Sequence, residues 1–348
     1  MRREQLSFYG LQFFDIFLTL ACGIMLSNDA IIVRDLTKKY CGNVALNGVS
    51  FSVRRGEVVG LIGPNGAGKS SILKILAGLI SGTSGSVTVN GISVAENVMR
   101  AKQQISFMPE NNPLPDHLRV GEYLRFRAEL KGVPSRKIRA NAEKVMRLCD
   151  LYHEARYRMI GTLSKGYRQR IGIADALLGD IGIVILDEPT IGLDPHQIVG
   201  VRKTIDSNRG TRTILISSHI LSELETVCDS FMIINHGNIV AAGTMDSLAN
   251  EVRDENFFFA KICGDKCAVR DTLEHNGARI ISFEWLPHSG ECAVKFYLPR
   301  DAYRPLLLKI VNSENLLLKK IGNVELSLEE IFLHSTRRCR ESDISCEP

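Results

Sequence analysis

Hydrophobic and polar positions alternate along the first part of the chain. "AIIVRDLTKKY" (30–40) and "VALNGVSFSV" (44–53) have the period of half-buried strands, and "GEVVGLIG" (56–63) is a short apolar run closed by glycine. That run leads directly into "GPNGAGKSSILKILAGLI" (63–80), so strand, glycine-rich turn and helix follow in succession. From about 94 to 161 the rhythm becomes helical. "VGEYLRFRAELKGV" and "SRKIRANAEKVMRLCDLY" carry apolar residues at i, i+3, i+4 and i+7, predicting a helical insertion. Strand-like runs return in "IGIVILDEP", "RTILISSH" and "SFMIINHGNIVAAG". Strands interleaved with helices predict a mostly parallel sheet covered on both faces, an α/β fold. After residue 248, "NFFFAKIC", "AVRDTLEHNG", "ARIISFEWL", "ECAVKFYL", "YRPLLLKIVNS" and "LLLKKIGNVEL" read as strand, helix, strand, strand, helix, strand. This order predicts a small ferredoxin-like α+β domain over 249–337, closed by a helix in "SLEEIFLHST", with a frayed tail at 338–348.

Composition narrows the class only a little. With 348 residues, 45% of them hydrophobic and 24% charged, the chain is long enough for two globular domains. A net charge of +4 from scattered basic residues gives no reason to expect a nucleic-acid partner. The nine cysteines are irregularly spaced, the pattern of reduced thiols. Cys263 and Cys267 lack the second pair that a zinc site needs.

Residues 1–28 form an apolar extension in which "LSFYGLQFFDIFLTLACGIML" follows "MRRE", as in a signal peptide or membrane anchor. Asp15 in its middle carries an insertion cost of about 2.5–3.5 kcal/mol. Met25 is the expected first residue of the working protein, with an anchor and a buried accessory helix as the alternatives.

The candidate chemistry lies at the ends of the apolar strands. Gly63-x4-Gly68-Lys69-Ser70 fits a phosphate loop: its glycines turn backbone amides inward and the following helix presents its positive end. Lys69 is placed to reach the β- and γ-phosphates and the Ser70 hydroxyl to ligate Mg²⁺. "IVILDEP" ends in two carboxylates, with Asp187 suited to the Mg²⁺ shell and Glu188 to polarising an attacking water. His219, at the end of "ILISSH", is a candidate sensor of the γ-phosphate.

Tyr40, this loop, "LSKGYRQR" (163–170), "ILDEPTIGLDP" (185–195) and "ISSH" stand in the order and spacing of ATP-binding cassette (ABC) ATPases, which the chain resembles over about 31–243. The resemblance implies a P-loop ABC ATPase domain over 29–248, with ATP and Mg²⁺ as cofactors. Gly63, Pro64, Asn65, Gly66, Ala67, Gly68, Lys69, Ser70 and Ser71 would hold the phosphates, and Lys69, Glu188 and His219 would be catalytic. Ser70, Asp187 and Glu110 would take the metal, and Tyr40 would stack on adenine, a contact worth about 1–3 kcal/mol. It further implies two copies paired head to tail, each ATP lying between one copy's phosphate loop and the other's Ser164 and Gly166, with Asp194 at the seam.

The sequence departs from the family in two places. Lys165 and Tyr167 replace the first glycine and the glutamine of the family's Leu-Ser-Gly-Gly-Gln signature, and Glu110 stands where the family has glutamine. The apolar positions Leu114, Leu118, Tyr123, Leu124 and Phe126 suit either core or a groove for a membrane partner.

The function implied is the ATP-hydrolysing subunit of an ABC transporter at the cytoplasmic face of the cell membrane. It would drive transport through a separate transmembrane permease, and the C-terminal part, similar to subunits for multidrug, sodium or gliding-motility export, points to export. The second ATPase subunit would be the same chain or a related one. A soluble ABC ATPase acting on a cytoplasmic or ribosomal partner is the alternative. The C-terminal domain would serve as a dimerisation brace or a regulatory ligand-binding module.

Overall fold

A computed structural model describes residues 28–252, 257–287, 290–313, 315–323 and 327–344, so the apolar segment 6–26 lies outside the described residues. β1 (Asp29–Tyr40) and β2 (Asn43–Arg54) pair as an antiparallel hairpin. Its turn, Cys41-Gly42, has positive φ at both residues, the geometry that follows the strand twist. β3 (Val58–Ile62) is buried along its whole length, as a central parallel strand must be. It feeds α1 (Lys69–Leu76), and β4 (Ser84–Val89) with β5 (Ile92–Ser93) completes an antiparallel sheet of order β2-β1-β4-β5.

α2 (Val98–Gln104) then leads into β6 (Ile105–Met108), the strand before Glu110, within the stretch expected to be a helical insertion. At four residues, "ISFM" is too short to show a period, and its pairing with β7 decides its state. The insertion itself is α3 (Val120–Leu130) and α4 (Ser135–Leu148). There follow α5 (Lys165–Ala176), β7 (Ile183–Asp187), α6 (Pro195–Asp206), β8 (Thr213–Ser218) and α7 (Leu221–Glu225). β9 (Ser230–Asn235) and β10 (Asn238–Gly243) form a hairpin about His236-Gly237, again with both φ positive, and α8 (Met245–Val252) comes next. The main sheet has the order β10-β9-β3-β8-β7-β6. β3, β8, β7 and β6 run parallel, so their C-terminal ends share one edge.

The chain divides into two compact units: one runs as far as His219 and includes Val227–Asp229 and Ile234–Ile239, and the other holds Ile220–Thr226, Ser230–Ile233 and the chain from Val240 onward. In the second, β11 (Phe257–Cys263), α9 (Lys266–Glu274), β12 (Arg279–Leu286), β13 (Glu291–Tyr297), α10 (Arg300–Asn312) and β14 (Leu317–Asn323) build an antiparallel sheet of order β12-β13-β11-β14. Phe258, Val294, Phe296, Leu306 and Ile310 lie at its core, and the Phe258 ring stacks on Tyr303 at 4.4 Å. α11 (Leu328–Ile344) carries the helix through most of the segment expected to fray. No glycine or proline interrupts "RCRESDI", which explains the continuation. Among the described residues, no helix is long and apolar enough to cross a membrane.

Candidate functional site: a phosphate loop facing paired carboxylates

The shared edge of β3, β8 and β7 collects the chemistry. β3 ends at Ile62, and the next residue, Gly63, has no room for a side chain: a Cβ there would lie 2.4 Å from the Ile234 carbonyl oxygen. At Gly68, φ 111° just before α1, a side chain is barred twice, by the left-handed backbone and by the Ala45 carbonyl oxygen, 2.6 Å from where a Cβ would lie. These two glycines let the loop close tightly, with the Ala67 amide donating to the Pro64 carbonyl at 3.2 Å. Lys69 Nζ donates to the Gly63 and Pro64 carbonyls at 2.6 and 3.2 Å, folding the side chain along the loop. Burial holds its ammonium below the ordinary lysine range, against the opposing pull of Glu188, Asp187 and Glu110.

Asp187 ends β7 only 2% exposed, and its Oδ1 accepts a 2.6 Å hydrogen bond from Ser217 Oγ on the adjacent β8. Glu188 follows with φ 51°, a left-handed backbone that is uncommon for a non-glycine residue. Its amide donates to Ser217 Oγ at 3.0 Å and its carbonyl accepts from Gln169 Nε2 at 3.1 Å, and these bonds hold the turn. The Glu188 carboxylate then meets His219 Nδ1 at 2.7 Å. Ser217 and Gln169 are positioning residues that the motifs contain but do not single out; only the pairing of β7 with β8 and the packing of α5 expose their work.

Pro64, Asn65, Gly66, Gly68, Lys69, Ser70, Ser71, Glu110, Glu188 and His219 all line one cavity of about 480 Å³, with Ala45 and Ile191 completing its wall. Asp187 sits beneath, and Tyr40 lies at the rim with its hydroxyl 3.4 Å from Ser71 Oγ. Gly63 and Ala67 form the loop's frame. Ser164, Gly166 and Asp194 are not part of the lining. Ser164 precedes α5 as its N-cap, and a Cβ on Gly166 would lie 2.1 Å from Gln197 Oε1. Asp194 caps α6 by accepting from the Gln197 amide at 2.9 Å, so signature and "GLDP" turn meet through one glutamine. The two signature substitutions are accommodated at the surface: Lys165 lies along Gly192, and the Tyr167 hydroxyl donates to Glu154.

The helical insertion grips α5 from the side. Asp175 accepts from Tyr123 Oη at 3.1 Å and Arg127 Nε at 3.0 Å, and pairs with Lys131 Nζ at 3.2 Å. Of the apolar positions considered for a groove, Leu114, Tyr123 and Leu124 are buried core and only Phe126 stands out, at 52% exposed.

Known proteins are similar to this chain in sequence and fold. A family profile described as "ABC transporter" matches residues 46–191. The linearmycin resistance ATP-binding protein LnrL of Bacillus subtilis (strain 168) is 29% identical over 88% of this chain and 97% of that protein. The Nod factor export ATP-binding protein I of Rhizobium sp. (strain N33) is 34% identical over 65% of this chain and 74% of its own. A solved structure of the ATP-binding subunit of an ABC transporter superimposes with a TM-score of 0.59 and 32% identity, covering 64% of this chain and 93% of that one. With the phosphate loop, Glu188 and His219 lining one cavity, the chain belongs to the ABC transporter family as an ATP-binding ATPase subunit.

Proposed function

We propose that this ATPase subunit drives export through a separate membrane-spanning permease, working from the cytoplasmic face as one half of a dimer that ATP closes and hydrolysis reopens. The observation that carries the dimer is the division of the site. The phosphate loop, Glu188 and His219 line the cavity, whereas Ser164 and Gly166 lie off it. A second copy is required to bring a signature against ATP. The N-terminus of α5, twelve residues long, would then aim its partial positive charge at the γ-phosphate.

Within one copy the roles follow from placement. The loop amides and Lys69 bind the phosphates. Glu188, oriented by its turn and by His219, takes the proton of the attacking water, and His219 holds Glu188 and the γ-phosphate oxygen in one network. Ser70, Asp187 and Glu110 offer hard oxygen donors suited to Mg²⁺, which would share charge with the phosphates and leave the remaining coordination to them and to water. Tyr40, exposed at the rim, is positioned for an adenine ring.

We assign the cassette to 29–248, with its helical insertion within 94–161, and an accessory domain to 249–337. The order β12-β13-β11-β14 and the strand–helix–strand–strand–helix–strand sequence support a ferredoxin-like sandwich there, acting as a dimerisation brace. The permease is tested by purifying Glu188→Gln from detergent-solubilised cells with ATP present. Co-purification of a polytopic membrane protein is expected; recovery of ribosomal or other soluble partners alone overturns the transport reading.

A further inference from the structure

A second cavity lies at the opposite edge of the parallel sheet. β7 and β8 begin at Ile183 and Thr213, and the residues just before them, Ile181 and Arg212, line a space of about 550 Å³. Strands of five and six residues at about 3.3 Å each put it about 17–20 Å from Glu188 and His219. Lys131, Lys137, Lys144 and Arg212 face this space, with Asp180 the one carboxylate among the lining residues.

The charges here do not balance. Lys131, with 14% of its side chain exposed, shares Asp175 with Arg127, so one carboxylate serves two cations. Arg212 donates to neutral acceptors, the carbonyls of Leu177 and Gly179, each at 2.9 Å. Burial lowers the Lys131 ammonium from its ordinary value, and the nearby Arg212 adds to the effect. Clustered, partly buried cations of one sign are costly unless an anion joins them. On α4, Lys137, Asn141 and Lys144 follow at i, i+4 and i+7 and so share one face. Asn141 Oδ1 is taken by the Gly179 amide at 3.0 Å, which leaves its Nδ2 as a donor.

We propose that this cavity binds a soluble, multiply charged phosphorylated metabolite, held by Lys131, Lys137, Lys144, Arg212 and the Asn141 amide. Its volume falls in the range of metabolite pockets, about 300–1,000 Å³, and exceeds what one inorganic phosphate fills. Lys131 also donates to Ser106 Oγ at 2.8 Å on β6, so the same ammonium joins the strand before Glu110 to the helix that starts at the signature. The binding claim stands apart from the transport reading.

Pyrophosphate is the probe, titrated calorimetrically into the full chain with the catalytic cavity saturated by ADP and Mg²⁺ left out. One saturable site per chain is expected. Lys137→Glu with Lys144→Glu, both exposed and so compatible with folding, weakens it by about tenfold per lysine and leaves ADP affinity unchanged. No saturable binding, equal binding by the double variant, or the same heat from sodium chloride at matched ionic strength overturns the proposal.

Discussion

Lys69, Gly68 and Ser217 show how single residues set the chemistry. Lys69 sits with its ammonium below the ordinary value of 10.5 because burial disfavours its charge. Phosphate oxygens reverse that shift, so ATP binding takes up a proton on the alkaline side. Affinity is full below the lowered pKa and declines as pH rises through it towards the raised pKa of the complex. Calorimetry in buffers of different ionisation enthalpy reads this directly as proton uptake that grows with pH; zero uptake throughout contradicts it. Gly68→Ala forces a Cβ against the Ala45 carbonyl at a left-handed φ, with an expected cost of about 1–3 kcal/mol and loss of nucleotide binding, measured by urea unfolding and fluorescent-ATP titration. Ser217→Ala removes the hydroxyl that donates to Asp187 and accepts from the Glu188 amide. We expect kcat to fall about 10–100-fold with KM for ATP little changed, and Ser217→Thr to restore it. A change in stability without a change in kcat counts against the positioning role.

Helices and strands explain which parts of this were legible beforehand. The order strand, glycine turn, helix located the phosphate loop because each piece has its own pattern: a buried five-residue run, positive-φ glycines and a helical period. The pairing of β6 was not legible because four residues carry no periodicity and its partner lies nearly eighty positions away, a separation no local pattern records. The turn at Glu188 was hidden for a similar reason, since its φ is held by Ser217 and Gln169 from other elements. Asp175 belongs to the same class: an aspartate on a helix reads as solvated until α3 is laid beside it. Asp175→Asn leaves Arg127 and Lys131 without their shared counter-charge, and should lower stability by about 1–3 kcal/mol in urea unfolding. Equal stability of variant and parent contradicts the grip.

At the scale of the whole molecule, the arrangement of the site is what argues for partnership. One copy supplies phosphate loop, Glu188, Glu110 and His219 to a single cavity, while Ser164 and Gly166 of its signature, at the start of α5, lie off that cavity. On the proposed dimer, binding and catalysis separate: one copy would hold nucleotide, and two would be needed to turn it over. The direct measurement is light scattering after gel filtration of Glu188→Gln, which keeps the loop and the signature but loses the carboxylate proposed to accept the proton. With saturating Mg-ATP it should elute as a dimer that reverts to a monomer with ADP, and a Ser164→Arg change in the same background should abolish the dimer. A monomer in both nucleotides, or a dimer indifferent to Ser164→Arg, contradicts the account.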